Sequence, residues 1–419
     1  LDEPTTQLDP VLSKNFLNIV EQIHKEFGVT IIIAEQRLEK VFSYADRVVV
    51  LEDGKITGDV SPKGLHDLFI KADGDDSIYN ALPQAMRMYI ECVKKGFVKT
   101  SDNPPISVNE GREWLKNELS NGLSHKLTVS SEKRLDNFEG KLKGTETGDA
   151  FKKKLSKKTD KKKDKKSEKK SENKPVVNIK EIDYLYKGAG KNVLNNLSLK
   201  VDRGCIFSIM GGNGSGKTTL LKLIAGIYKP LRGKLKIDGS AAYLPQNPKL
   251  LFTEITVEDE LAESFTVYER GNKRIKDEEI KLRVEKMLST LNLTDIRKNH
   301  PYDISGGQSE RLAIGKLLLT EPDILLLDEP TKGLDAKAKD EFAELLLELK
   351  NEGKTIIIVS HDMEFVAKYS DYVSLLFDGE IIVSDEKRKF FIDNMFYTTN
   401  TRRICAGLVE NVILVEDMF

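Results

Sequence analysis

Cysteine is scarce: Cys92, Cys205 and Cys405 are the three among 419 residues, and they stand too far apart for any metal-type spacing. That usage predicts reduced thiols in a cytosolic setting. Long apolar runs are missing too. No stretch reaches the roughly 18 residues that a membrane-spanning helix needs, and no secretory signal opens the chain. Any membrane role is therefore expected to be peripheral. Net charge is nearly absent at −1, but it hides an asymmetry: residues 152–174 hold 13 Lys against 4 acids, so this tract is +9 and the remainder −10. What the chain has is 39% hydrophobic residues, enough for sizeable cores, and a length that predicts two or three units.

The first positive signal is repetition. Leu1–Asp9 reads LDEPTTQLD and Leu327–Asp335 reads LDEPTKGLD. Gly28–Ile56 then aligns with Gly353–Ile381, identical at 14 of 29 positions. The two offsets differ by one residue, as in a duplicated domain. By the logic of the repeat, about 150 residues should precede Leu1.

Composition divides the chain into residues 1–62 (the end of a first copy), 63–125, 126–174, 175–387 (a complete second copy) and a tail, 388–419. Segment 63–125 includes an amphipathic stretch, Leu82–Val93, and PPISVNEGREWL, whose Ser107 and Glu110 suit a helix-start capping box. Segment 126–174 is rich in Lys, Ser, Asp and Glu and too poor in apolar side chains to offset the entropy of ordering, so it reads as a flexible linker. A basic tract can also bind anionic lipid or nucleic acid; the interspersed acids favour a solvated spacer. From Pro175 to Lys387, short strands apolar on both faces alternate with helical segments. The fold class expected is α/β, a mostly parallel sheet covered by helices.

Gly211-Gly212-Asn213-Gly214-Ser215-Gly216-Lys217-Thr218 follows the strand CIFSIM and precedes the apolar helix that begins with Thr219. In that context it is a phosphate-binding loop. Without Cβ atoms, backbone N–H groups curl round a triphosphate, and the helix N-terminus adds partial positive charge. Lys217 should reach the β- and γ-phosphates of ATP, and Thr218 should ligate Mg2+. The plain alternative is a Gly-rich turn with a surface lysine. Downstream, Ile324–Leu327 is a strand ending in Asp328 and Glu329, 111 residues after Lys217 in the case of Asp328. Asp328 suits Mg2+ and Glu329 the polarisation of an attacking water. His361 closes the next strand and faces the ligand crevice of such a sheet. Gln246, in YLPQNP, comes off a further strand where it can sense Mg2+ or the water; alone, each of these is an ordinary polar residue.

Ile304-Ser305-Gly306-Gly307-Gln308 resembles the LSGGQ signature of ABC-type ATPases. With the phosphate loop, Gln246, the Asp328-Glu329-Pro330 motif and His361, five elements stand in that family's order over some 210 residues. The resemblance implies a P-loop cassette with an antiparallel β subdomain and a helical subdomain, complete in the second copy and partial in the first. It implies hydrolysis of ATP by cassettes paired head to tail, the signature of one capping the γ-phosphate held by the other. Tyr186 would stack on adenine, with Tyr184 a competing candidate. Asp335, and Asp9 in the first copy, would be D-loop contacts across the pair. LLLTEPDILLLDEPTKGLD, PPISVNEGREWL and the tail FYTTNTRRICAGLVENVILVEDM resemble the fused two-cassette ATPases of energy-coupling factor transporters, bacterial importers of vitamins and metal ions. That subtype implies a peripheral position at the cytoplasmic face of the cell membrane, on a membrane coupling subunit that serves a separate substrate-binding membrane protein, with no nucleic-acid partner.

The copies differ at one telling position: His361 aligns with Gln36. A Gln donates a hydrogen bond but lacks the imidazole's charge. Asp2 (for Mg2+) and Glu3 persist. Two unequal sites are expected, the weaker using Glu3 and Gln36 against Ser305, the stronger using Lys217, Glu329 and His361 against a first-copy signature. The rival reading is a soluble twin-cassette ATPase acting on ribosomes, which the basic linker would suit; such proteins usually carry SGGE-type signatures and lack an FYTT-like tail. A non-hydrolysing nucleotide-dependent scaffold is disfavoured by the intact Glu329 and His361.

Overall fold

The structure, a computed structural model, describes residues 1–5, 8, 10–35, 38–52, 54–70, 77–123, 127, 174–188, 190–269 and 275–419. Two candidate residues, Asp9 and Gln36, lie outside them, as does the linker 126–174 apart from Leu127 and Lys174. The N-terminal part holds α1 (Pro10–Phe27), β1 (Val48–Glu52), β2 (Lys55–Val60), α2 (Gln84–Lys94) and α3 (Val108–Glu118). After the basic tract come β3 (Val177–Tyr184), β4 (Leu194–Val201), β5 (Ile206–Met210), α4 (Lys217–Ile224), β6 (Arg232–Ile237) and β7 (Ala241–Leu244). Then follow α5 (Val257–Glu269), α6 (Asp277–Thr290), α7 (Gly306–Leu318), β8 (Ile324–Asp328), α8 (Ala336–Asn351), β9 (Thr355–Val359) and α9 (Met363–Tyr369). The chain ends in β10 (Tyr372–Phe377), β11 (Glu380–Glu386), α10 (Lys387–Asp393) and α11 (Asn400–Cys405).

Six strands form the main sheet in the order β11-β10-β5-β9-β8-β7. All its pairings are parallel except the β10–β11 hairpin. The expected α/β class holds, and the reason is burial on both faces. Leu325 and Leu327 of β8 pack with Ile356 and Ile358 of β9 against the helical side, where Leu261, Phe265, Leu288, Leu312 and Phe342 wait. Ile324, Leu326, Ile357 and Val359 face the opposite way, onto Leu220, Leu221 and Ile224 of α4 and onto β3 and β4. A separate antiparallel sheet, β4-β3-β6, covers that side. Among the described residues no helix is long and apolar enough to cross a membrane.

The duplication seen in sequence is a duplication of geometry. The β1–β2 hairpin carries a bulge between Val50 and Leu51, and β10–β11 carries one between Leu375 and Leu376, the aligned positions. Glu3 and Glu329 both adopt positive φ, 40° and 54°. Each donates its backbone N–H at 2.9 Å to the aligned carbonyl, Ala34 O in the first case and Val359 O in the second.

Helices α2 and α3 and the tail do not stay apart. Ala85, Met88 and Cys92 of α2, Leu115 of α3, Ile404 and Cys405 of α11 and Val412, Val415 and Met418 share one buried cluster. Arg112 ties it together by donating through Nη1 to Ile404 O at 3.2 Å and Ala406 O at 2.6 Å. Ser107 caps α3 by accepting from Glu110 N–H, as its spacing foretold.

Candidate nucleotide site

The loop between β5 and α4 turns on its glycines. A Cβ at Gly211 would sit 2.2 Å from Leu376 O, and Gly216, at φ 103°, starts α4 against Leu194. Only a chain without side chains there lets the loop close over its own cavity. The cleft has a volume of about 490 Å³, within the range of small-ligand sites. Asn213, Gly214, Gly216, Lys217, Thr218 and Thr219 line it, and the sheet's carboxyl edge brings Gln246, Asp328, Glu329 and His361 to the same space.

Lys217 is buried at the centre. Its Nζ donates to Gly211 O at 3.0 Å and Gly212 O at 2.9 Å and stands 3.2 Å from His361 Nε2. Burial lowers its pKa, while the charges of Glu329 and Asp328 raise it. His361 Nε2 is also 3.1 Å from Glu329 Oε1, and the His361 backbone N–H donates to Glu329 Oε2 at 3.2 Å. The cation, the imidazole and the carboxylate thus form one chain at the sheet edge.

Tyr243 donates its hydroxyl to Asp328 Oδ2 at 3.0 Å. Burial, then the adjacent Asp328 charge, pushes the phenol well above its usual range, so it remains a donor. Among the described residues no cluster of three His, Cys, Asp or Glu could hold a metal. What the cleft offers instead includes the Asp328 carboxylate, the Thr218 hydroxyl and the Gln246 amide. That oxygen-only, incomplete set fits a hard divalent ion that takes its other ligands from phosphate and water. Ser215 Oγ is sealed beside the loop with no hydrogen-bond partner among the described residues.

Tyr186, not Tyr184, lines the cleft. Tyr184 is 9% exposed and stacks on Tyr228, with ring centroids 5.3 Å apart; Tyr186 meets both rings edge-on and hydrogen-bonds Thr219 Oγ1 at 2.8 Å. Ser305, Gly306, Gly307 and Gln308 are not among the cleft's lining residues. They form the N-terminus of α7, where Ser305 Oγ accepts from Gln308 N–H at 3.3 Å and Gln308 Oε1 accepts from Ser305 N–H at 2.9 Å. Asp335 caps α8, accepting from Ala338 N–H at 2.7 Å. Asp2 bridges Ala34 in the aligned strand-end position, outside this cleft. Three lining residues were not legible beforehand: Leu8, Val193 and Lys332. Lys332 follows Glu329 by three residues in the same turn, a spacing that offered the one usable hint.

Residues 194–332 match the family described as ABC transporter. An ABC transporter ATP-binding protein of Bacillus thuringiensis subsp. konkukian is 32% identical over 432 residues, covering 100% of this chain and 68% of that protein. Another, from Clostridium tetani, is 32% identical over 416 residues, covering 96% of this chain and 80% of its own length. Among solved structures, cbiO1 from Clostridium perfringens, described as part of the ABC transporter complex cbiONQ, is 29% identical with a TM-score of 0.48, covering 52% of this chain and 91% of that one. With the phosphate loop, the acidic strand end and similarity along this whole chain in place, it belongs to the ABC transporter ATP-binding proteins and is an ATP-binding, ATP-hydrolysing subunit.

Proposed function

We propose that the chain is the fused two-cassette ATPase of an energy-coupling factor importer of vitamins or metal ions, with residues 1–62 the end of a first cassette and 175–387 a complete second one. The observation that carries the pairing is Leu8. It belongs to the first repeat, yet it lines the cleft built by Lys217, Asp328 and His361 of the second. A nucleotide in that cleft would touch both halves, so its binding favours their approach and its hydrolysis removes the shared ligand.

In this reading Lys217 and the backbone N–H groups of the loop hold the triphosphate, and Tyr186 stacks on the base. Thr218, Gln246 and Asp328 would hold Mg2+, which would neutralise charge on the phosphates. Glu329 accepts the proton of the attacking water, while the His361 backbone N–H holds one of its oxygens and the imidazole lies against the other. A second nucleotide would be capped by Ser305 and the N–H groups of Gly306, Gly307 and Gln308 and would meet Asp2, Glu3 and Gln36, with Asp9 and Asp335 as the contacts across the pair. Gln36 in place of a histidine makes that second site the slower one.

Support for a membrane coupling subunit as partner comes from exposed apolar residues beside Gln246: Leu250 is 72% and Ile255 73% exposed. Resemblance of the inter-cassette and tail strings carries the subtype, and with it a position at the cytoplasmic face of the membrane. Co-purification tests it. Recovery with a membrane coupling subunit supports the reading; salt-sensitive recovery with ribosomes and none with membranes overturns it in favour of a translation ATPase.

A further inference from the structure

Glu39 and Glu364 occupy aligned positions of the two repeats, each three residues beyond the Gln36/His361 position. The structure brings them to one cavity of about 440 Å³ between the halves. Each does the same local work. Glu39 Oε2 accepts the backbone N–H of Gln84, first residue of α2, at 2.8 Å. Glu364 Oε1 accepts the N–H of Asn400, first residue of α11, at 3.1 Å. The symmetry continues along these helices, where Arg87 and Arg403 each stand three residues further on and line the cavity. A side-chain contact crosses the seam itself: Thr401 Oγ1 to Gln84 Oε1, 3.3 Å and buried.

Two carboxyls so placed cannot both carry charge without cost. Glu364 Oε2 is sealed from solvent and has no hydrogen-bond partner among the described residues. The neighbouring cations make their hydrogen bonds to other groups, and of their charges only those of Arg87, on both carboxyls, and Arg403, on Glu39, oppose the effect of burial. Lys339 pairs with Asp362 at 2.7 Å, and Lys368 and the Tyr369 hydroxyl share Asp340 at 3.3 and 2.8 Å. Arg87 pairs with Glu416 at 2.9 Å, Arg403 donates to Phe396 O at 2.7 Å, and Lys40 donates to Ser13 Oγ at 2.9 Å. His361 is the remaining titratable wall, and it lines this cavity and the nucleotide cleft alike.

We propose that Glu39 and Glu364 form a proton-operated clasp between the two halves: the seam packs with at least one carboxyl protonated and loosens when both ionise. Burial raises Glu39 to about 7, against the Gln84 N–H, the Asn400 side chain and the charges of Arg87 and Arg403. Burial, then the Glu39 charge, raises Glu364 to about 8. Both values lie above the ordinary 4.5, so the packed seam holds more protons than an open one. Packing is fully favoured below that ordinary value and is lost as pH rises through the raised ones. Because Glu364 lies in the first turn of α9, three residues after His361, the clasp sits close to the nucleotide cleft that His361 also lines.

Amide hydrogen exchange on the whole chain tests this, following the first turns of α2 and α11 between about pH 6 and 9 after correction for intrinsic base catalysis. The clasp predicts that wild type loses protection in both turns together across this range, while Glu39→Gln/Glu364→Gln, a neutral isosteric pair, keeps it throughout. Should the double variant not fold, the single Glu364→Gln variant serves: it leaves one ionisable carboxyl and removes the repulsion, so its loss of protection must shrink. Identical pH dependence in wild type and variants, or protection in wild type that ignores pH, overturns the proposal.

Discussion

His361 Nε2 lies 3.1 Å from Glu329 Oε1 while the His361 backbone N–H holds the other oxygen of the same carboxylate at 3.2 Å. The two strand ends, β8 and β9, are adjacent in the sheet with Asp328 opposite Val359, so the register alone sets this meeting. A carboxylate held by a backbone N–H at one oxygen, with an imidazole against the other, is restricted in orientation before any water arrives.

Glu329→Gln keeps the size and most of the hydrogen bonding but removes the proton acceptor. Single-turnover hydrolysis should fall by about 10²- to 10⁴-fold while ATP affinity stays near wild type. His361→Ala should lower turnover as well, because it removes the imidazole from Glu329 Oε1 and leaves only the backbone N–H on the other oxygen. Equal hydrolysis by wild type and Glu329→Gln would remove Glu329 from the role. If Glu3→Gln in the first repeat cost as much as Glu329→Gln, the two sites would be equal and the asymmetry assigned to Gln36 would fail.

Tyr243→Phe deletes the donor to Asp328 and little else. One such hydrogen bond is worth about 0.5–1.5 kcal/mol, so Mg2+-dependent ATP binding should change by up to about tenfold. Binding of ATP without Mg2+ should stay as it was. Titration calorimetry with and without the ion separates the two; an equal effect on both would place Tyr243 outside metal binding.

Glu310 on α7 is 5% exposed, and its Oε2 has no hydrogen-bond partner among the described residues. Burial raises it from 4.5 to about 8. The folded chain therefore keeps a proton that the unfolded chain has released, so stability declines as pH climbs from the lower value to the higher one. Thermal denaturation should show wild type losing stability over that window, at about 1.4 kcal/mol per pH unit from this group. Glu310→Gln should show a flatter profile; parallel profiles would contradict it.

Leu326 of β8 is fully buried between β3–β4 and the main sheet. Leu326→Ala should cost about 2–5 kcal/mol by chemical denaturation. A loss of under 1 kcal/mol, roughly the size of a surface change, would deny the two-faced burial of the strand.

Much of this was legible because some constraints are local. The loop Gly211–Thr218 and the strand end Asp328-Glu329 declare themselves by residue type and spacing, and both-face apolar runs such as Ile324–Leu327 cannot be edge strands. Ser107 announced the start of α3 for the same reason. What stayed hidden depends on what lies across the sheet or across the repeat. Tyr243 orients Asp328 only because β7 lies next to β8. Leu8 looks like any core leucine until the first repeat is set against the second. Tyr184 and Tyr186 are two residues apart in an aromatic cluster, and only packing shows which ring reaches the cleft. Nor does sequence reveal that α2, α3 and the tail share one core, since their contacts span some 300 residues, as in Arg112 to Ile404.

The central claim is that ATP gripped at Lys217 is enclosed by the first repeat through Leu8. Alkylation of a Leu8→Cys variant measures it directly, since the three natural cysteines are buried. Mg2+-ATP should slow modification of the introduced thiol, and adding Lys217→Ala should abolish that protection. A modification rate indifferent to nucleotide, in a chain that still binds ATP, would contradict the account.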